Sequence, residues 1–198
     1  MYLLRSAAVA RRTQLERSET TRAALIDAAL DLLDERGWAA TTSVVVCERA
    51  GVTRGALVHH FGDLPSLLAA ALDTHYERWA RIVAAEPPAR TLAELVTQSW
   101  RVVADGGAKV VIEAWLAAAN DADLGRAIAP VIAGFAKLVS PTEHDLIADD
   151  DTRVLYLALR EAILGLALGR ATNGGPLPHE DAVVARLVAI AHDHDITD

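Results

Sequence analysis

Apolar residues recur along most of this chain at intervals of three and four, which is the spacing of one helical face. Between residues 21 and 36 the repeat is clear, and its members are Leu25, Ala28, Ala29, Leu32 and Leu33. No stretch alternates apolar and polar residues between hairpin turns, as a half-buried strand would. The pattern therefore predicts an all-α fold.

Capping residues, glycines and prolines divide this pattern into nine predicted helices. Thr20 or Thr21 can cap the first helix, which ends at Gly37, and two short helices follow Thr42 and Thr53. The three valines at 44–46 favour a strand locally, but three residues are too few for one and we expect a helix there.

From Asp63 onward the chain is predicted to hold longer helices. The fourth runs from Asp63 to Ala84, and Pro87 and Pro88 stop it. A break is expected at Gly106-Gly107. The remaining helices are expected at about 91–104, 108–119, 122–139, 150–171 and 178–192.

The composition is that of a folded globular protein, with 52% apolar and 23% charged residues among 198. Cys47 is the only cysteine, and the first residues lack the apolar stretch of a signal peptide. No run approaches the roughly 20 apolar residues of a membrane span. We expect a cytoplasmic protein with no membrane contact and no cofactor.

Charge is unevenly distributed along the chain. The net charge is −8, but residues 1–60 hold eight arginines against seven acidic residues. The rest holds eleven basic and twenty acidic residues. Because a phosphate backbone is repelled by the second part and accepted by the first, any nucleic-acid contact is expected in the first part.

The segment from Thr42 to Phe61 has the features of a helix-turn-helix. Gly51 stands where the first short helix must end in a left-handed conformation, and Thr53 can cap the next helix. Small residues at Cys47 and Ala50 allow the two helices to cross closely. A helical corner without any role in nucleic-acid binding would share these features, so both interpretations stay open.

If the segment binds DNA, the second short helix is the one that enters the major groove. Arg54, near its start, can read the O6 and N7 atoms of guanine with two hydrogen bonds, and Thr42 can hold a phosphate. The candidate DNA-contacting residues are Thr42, Thr53, Arg54, Gly55, Ala56, His59 and His60.

The stretch from Thr21 to Leu68 resembles the DNA-binding domain of the TetR family of bacterial repressors. The matching residues are Gly37-Trp38, Thr41-Thr42, the run 50–57, His59-His60-Phe61 and Leu67-Leu68. The resemblance implies a repressor that binds a palindromic double-stranded DNA operator as a homodimer and responds to a small-molecule effector. Three regions are predicted along the chain: a basic arm at 1–18, inferred from its arginines and either flexible along the groove or a disordered tail, a helix-turn-helix domain at 19–66, and a ligand-binding and dimerisation domain at 67–198.

Two positions depart from the family pattern. Val58 stands where a tyrosine usually touches phosphate, and Leu64 stands where a lysine is usual. Fewer phosphate contacts predict weaker binding with a shallower salt dependence. The arginines Arg5, Arg11 and Arg12 could compensate as an arm along the groove.

Two further sites are predicted in the second half. Small residues spaced by three and four on the eighth helix, with apolar residues on the ninth, suggest a four-helix dimer interface, although packing within one subunit would explain either set. The interface residues are Ala158, Ala162, Gly165, Gly169, Val183, Leu187 and Ile190. Aromatic and polar residues that suit a small apolar effector are Trp100, Arg101, Trp115, Phe135, Tyr156 and Arg160, with His144 as a further polar group. Each tryptophan also fits a core position with no ligand, so that alternative stays open.

Two other classes of protein were weighed. An enzyme is disfavoured because the three acids at 149–151 point in different directions on a helix, and they fit the start of the eighth helix better. The terminal 192–195 segment has metal-capable groups but is expected to fray, and Ser140 and Cys47 lack a catalytic partner. A same-fold ligand-binding protein with weakened or lost DNA binding remains the alternative.

Overall fold

The computed structural model describes residues 2–138, 146–147 and 149–196. Nine α-helices and no strand occur in these ranges, which confirms the predicted all-α class. Within them, every helix falls short of the length and apolarity of a bilayer-crossing segment. The helices are α1 (Tyr2–Arg36), α2 (Ser43–Ala50), α3 (Arg54–Phe61), α4 (Leu64–Ala85), α5 (Leu92–Val102), α6 (Ala108–Asn120), α7 (Ala122–Leu138), α8 (Asp150–Asn173) and α9 (Glu180–Asp195).

The prediction of a flexible arm over residues 1–18 differs from the structure, because α1 is continuous from Tyr2. No glycine or proline occurs before Gly37, and alanine, leucine, arginine and glutamate are strong helix formers. Thr20 and Thr21 do not cap a helix start. Their hydroxyls donate to carbonyl oxygens four residues earlier, within α1.

The predicted break at Gly106-Gly107 is a π-helical turn, Val103–Gly107, which joins α5 to α6 without an intervening loop. Gly107 lies where no side chain would fit, since a Cβ there would stand 2.4 Å from Trp79 Nε1 and 2.5 Å from the His75 ring. The turn therefore brings the α5–α6 junction against α4.

Two apolar cores hold the helices together. The first joins α1–α4 to α6 and α7, and its fully buried members include Leu25, Leu72 and Ile128. The second joins α5, α8 and α9 around Tyr156 and Ile163. In the first core, α4 packs against both the helix-turn-helix and the later helices. A shift of α4 would therefore change its contacts with both.

The end of α9 is docked rather than frayed, which corrects the expectation for residues 192–195. The Asp195 carboxylate accepts from the backbone amides of Leu92 and Ala93 at 2.9 and 3.1 Å and so caps α5. His194 Nε2 lies 2.9 Å from Thr152 Oγ1 on α8. The expectation of a frayed end was wrong because these partners are far away in the chain, 103 residues for Asp195 with Leu92 and 42 residues for His194 with Thr152.

Candidate nucleic-acid interface

The helix-turn-helix forms over the predicted segment, with each helix start capped as expected. The Val45 amide donates to Thr42 Oγ1 at 3.4 Å, and the Ala56 amide donates to Thr53 Oγ1 at 3.2 Å. Gly51 ends α2 in the left-handed region, with φ 66° and ψ 30°. The turn between α2 and α3 is therefore set by local chemistry that the sequence carries.

The buried side of the motif holds the two short helices on the first core. Val46 and Cys47 of α2 and Leu57 of α3 are buried, while Phe61 packs against the same core at its edge. Burial raises the pKa of the Cys47 thiol, so this group stays protonated and serves as a small apolar side chain. One face of α3 therefore packs against the core, and the opposite face is exposed to solvent.

The predicted DNA-contacting residues share the outward side of the motif. Thr42, Thr53, Arg54, Gly55 and His59 are exposed, whereas Ala56 and His60 are half-buried. Arg54 is not part of any ion pair within the described ranges, so its guanidinium is available to a ligand. These positions agree with the expected interface, and their contact with DNA stays a prediction.

Two contacts hold the motif on α1. Arg49 Nη1 and Nη2 donate to Glu35 Oε1 and Oε2 at 3.0 and 2.7 Å, a two-bond pairing between α2 and α1. The hydrogen bonds from Arg49 hold the pKa of the Glu35 carboxyl below its usual value. The guanidinium of Arg22 lies 5.3 Å from the centre of the Phe61 ring, which links α1 to α3.

Helix α6 also contacts the helix-turn-helix domain, which the sequence did not predict. Glu113 Oε2 accepts from the Trp38 amide at 2.9 Å, at the start of the short 3₁₀ turn after α1. Lys109, one turn earlier on α6, donates to the Asp34 carbonyl oxygen near the end of α1. A Cβ on Gly37 would stand 3.0 Å from the Glu113 carboxylate oxygens, so Gly37 makes room for this contact.

Helix α4 runs from the motif to the later helices and is hydrogen-bonded near both ends of this path. The Asp63 carboxylate caps it by accepting from the Ser66 amide at 2.8 Å. Further along, His75 Nε2 donates to the Gly107 carbonyl at 3.0 Å, and Trp115 Nε1 donates to Tyr76 Oη at 3.1 Å. Burial lowers the pKa of His75 and raises the pKa of Tyr76 to about 12.

The predicted effector residues lie in different surroundings. Trp100 and Tyr156 belong to the second core, whereas Trp115 is at the surface beside α4. Arg101 pairs with Glu86 and Arg160 with Glu161, both at the surface. The side chain of Phe135 and the whole of His144 and Ser140 fall outside the described residues.

A groove of about 270 Å³ lies between α5 and α9 and is open to solvent. Among the predicted effector residues with described side chains, only Arg101 lines it; the other lining residues are Ala93, Glu94, Thr97, Gln98 and Val188. The other described candidates would have to be brought together by a change in helix packing, and an effector site at these six residues stays a prediction.

A buried ion pair between Arg170 and Glu180 joins α8, α9 and the π-helical turn. The sequence pattern did not predict it. Arg170 Nη1 donates to Glu180, whose side chain is only 6% exposed. Arg170 Nη2 also lies 3.4 Å from the Ala104 carbonyl oxygen, and the guanidinium stands 5.8 Å from the Trp100 ring centre. The only signal in the sequence was two opposite charges flanking the Gly174-Gly175-Pro176 turn.

The predicted dimer residues divide between the surface and the subunit interior. Ala158 and Gly165 of α8 and Val183 and Ile190 of α9 are exposed, and Ala162 and Leu187 are half-buried. Gly169 differs, because a Cβ there would stand 2.5 Å from Leu177 Cδ1 of the same chain. Gly169 therefore makes room for the loop before α9, and its place in an interface has less support than the others.

Comparison with known proteins adds three kinds of similarity. The family model of "Bacterial regulatory proteins, tetR family" matches residues 25–71. An HTH-type transcriptional regulator of Mycobacterium tuberculosis is 31% identical over 130 residues, covering 63% of this chain and 67% of the relative.

Two solved structures are similar over most of their length. A member of the TetR family from Streptomyces coelicolor A3 is 30% identical, with a TM-score of 0.65, covering 84% of this chain and 97% of that one. The multidrug binding protein EbrR, solved with ethidium, is also 30% identical, with a TM-score of 0.60 and coverage of 84% and 98%.

Proposed function

The chain belongs to the TetR family of bacterial regulatory proteins, and from that premise we propose a homodimeric repressor that binds a palindromic operator and is released by a small molecule. The observation that carries the proposal is the outward face of α3. It presents the exposed Arg54 guanidinium, which has no ion-pair partner among the described residues, beside the capped, solvent-facing start of a short helix.

Operator binding follows from the geometry of that helix. The major groove accepts one α-helix, and α2 can then cross the phosphate backbone with Thr42 at its start. The chain is expected to retard DNA flanking its own gene in a low-salt gel. If no fragment of this region binds, the alternative of a ligand-binding protein without DNA recognition takes precedence.

A second copy of the chain is the partner that suits the α8–α9 surface. Val154, Ala158, Gly165 and Leu168 are exposed and follow one another on α8 at intervals of four, seven and three residues, close to whole helical turns. Small side chains in such a row let another helix approach closely. A two-fold axis here would pair two recognition helices, and a palindromic operator requires that they lie about 34 Å apart or a multiple of that distance.

Ala158→Glu is expected to separate the dimer, because it places a charge on each copy where apolar surface would be buried twice. Light scattering after size exclusion should give twice the 21.1 kDa chain mass for the parent and the single mass for the variant. Ala119→Glu, at an exposed alanine near the end of α6, is the matched control and should stay dimeric. A dimeric Ala158→Glu would contradict the α8–α9 assignment.

The release mechanism that we propose is a shift of α4 from Asp63 onward when an effector binds among α4–α8. Support comes from the two hydrogen bonds that fasten α4 to the π-helical turn and to α6, at Gly107 and Trp115. A ligand that moves α6 would displace α4 through these hydrogen bonds. The distance between the two α3 helices of the dimer would then change. It can do so only if it prefers the shifted arrangement.

Malachite green is the first probe for this mechanism, because EbrR was also solved with it and because its three rings are twisted and do not intercalate between base pairs as ethidium does. Binding is established by quenching of tryptophan fluorescence, and operator affinity is then measured with and without saturating malachite green. We expect a loss of about fivefold or more in operator affinity. Quenching with unchanged operator affinity would contradict coupling through α4.

A further inference from the structure

Val58 is an apolar side chain on the outward face of the recognition helix. It is 59% exposed, although its neighbour Leu57 is 2% exposed and points into the core. At 100° per residue, Gly55 and His59 lie opposite Leu57, and Val58 lies beside them. Val58 therefore belongs to the surface that faces a ligand of α3.

Val58 contributes little to the fold. β-Branched residues are weaker helix formers than alanine or leucine, and this side chain leaves most of its surface in water. A valine also has no donor for a phosphate oxygen. Its isopropyl group gains free energy only if an apolar group covers it when α3 lies in the groove.

Among the groups that B-DNA presents in its major groove, only the C5-methyl of thymine is apolar. The structure also allows the backbone of α3 to approach the base edges closely beside Val58. Gly55 lies one turn before Val58, and a Cβ there would meet nothing nearer than Thr53 Oγ1 at 3.7 Å. With no side chain between the helix backbone and the base edges, a short residue such as valine can reach them.

We propose that Val58 is a specificity-determining residue that contacts a thymine methyl group in each half of the operator. Arg54 lies four residues earlier, about 6 Å along the helix axis. With base pairs about 3.4 Å apart, the thymine lies within about two base pairs of the guanine that Arg54 reads. The inference rests on the proposed operator binding.

The test replaces thymine by deoxyuridine, which removes only the methyl group. Duplexes are first selected from a randomised pool by the full-length chain. Each thymine of the selected half-site is then replaced, symmetrically in both halves, and affinity is measured by fluorescence anisotropy at one salt concentration. The protein arms are the parent chain, Val58→Ala and the control Val83→Ala, an exposed valine on α4.

Removing the methyl group at one thymine position is expected to weaken binding by the parent about fourfold per half-site, or roughly sixteenfold for both. Val58→Ala is expected to bind the thymine duplex more weakly by a similar factor and to lose nothing more with deoxyuridine. Val83→Ala should keep the full sensitivity of the parent.

Three results would overturn the proposal: half-sites without thymine, a parent chain indifferent to every replacement, or a Val58→Ala variant as sensitive as the parent. Failure to select any duplex is a different result. It would contradict operator binding itself, and the Val58 contact with it.

Discussion

Replacing Arg54 with alanine is expected to abolish the specific gel-shift complex with DNA flanking the gene. A guanidinium that donates two hydrogen bonds to guanine contributes about 1–3 kcal/mol of discrimination. The contact occurs twice in a dimer, so the operator affinity should fall roughly thirtyfold to ten-thousandfold. Affinity for unrelated DNA should change far less, because the phosphate contacts remain.

The matched control for this variant is Arg126→Ala, which removes an exposed arginine of α7 that pairs with Asp123 away from the motif. It carries the same change in net charge and should leave the complex intact. Equal losses on operator and unrelated DNA in Arg54→Ala would mean that Arg54 holds a phosphate rather than a base. In that case the predicted contact with guanine would be wrong, and the prediction of DNA binding would be unaffected.

The second large effect is expected on stability, from Arg170→Ala. This change leaves the Glu180 carboxylate, 6% exposed, without its partner, and a buried charge left unpaired costs about 3–5 kcal/mol. The Arg170 side chain is itself 25% exposed, so we expect the lower end of that range. In a chain of this size the corresponding fall in Tm is about 10 °C.

Thermal unfolding followed by circular dichroism measures this difference. Arg160→Ala is the control on the same helix, because its pair with Glu161 is at the surface and contributes at most about 1 kcal/mol. The double variant Arg170→Ala with Glu180→Ala should recover part of the loss, since the stranded charge is gone. A single variant no less stable than Arg160→Ala would contradict the account of a buried pair.

The parts of the fold that could be predicted from the sequence are those set by neighbours in the chain. Thr42 and Thr53 cap their helices, and Gly51 ends α2, because each acts within four residues of itself. The valines at 44–46 form part of a helix, as expected, because the cap and the core position of Val46 outweigh their strand preference.

The parts that could not be predicted depend on how whole helices are rotated and packed. Tyr156 is buried and Trp115 is near the surface, yet both are aromatic residues on helices of similar texture. Asp195 caps α5 although 103 residues separate it from Leu92. Glu113 accepts a hydrogen bond from the Trp38 amide although 75 residues separate the two. The start of α1 is a different case. The absence of glycine and proline before Gly37 favours a helix there, but the arginines of this segment led to the prediction of a flexible arm.

The contact between Gly37 and Glu113 has a consequence for the evolution of this chain. Gly37 has φ +73°, and a Cβ there would stand 3.0 Å from the carboxylate oxygens of Glu113 on α6. A side chain at position 37 would be strained by its backbone and would also push the carboxylate that holds the Trp38 amide by a few tenths of an ångström. Glycine is therefore expected to persist at position 37 among descendants, and where it is replaced a shorter residue is expected at position 113.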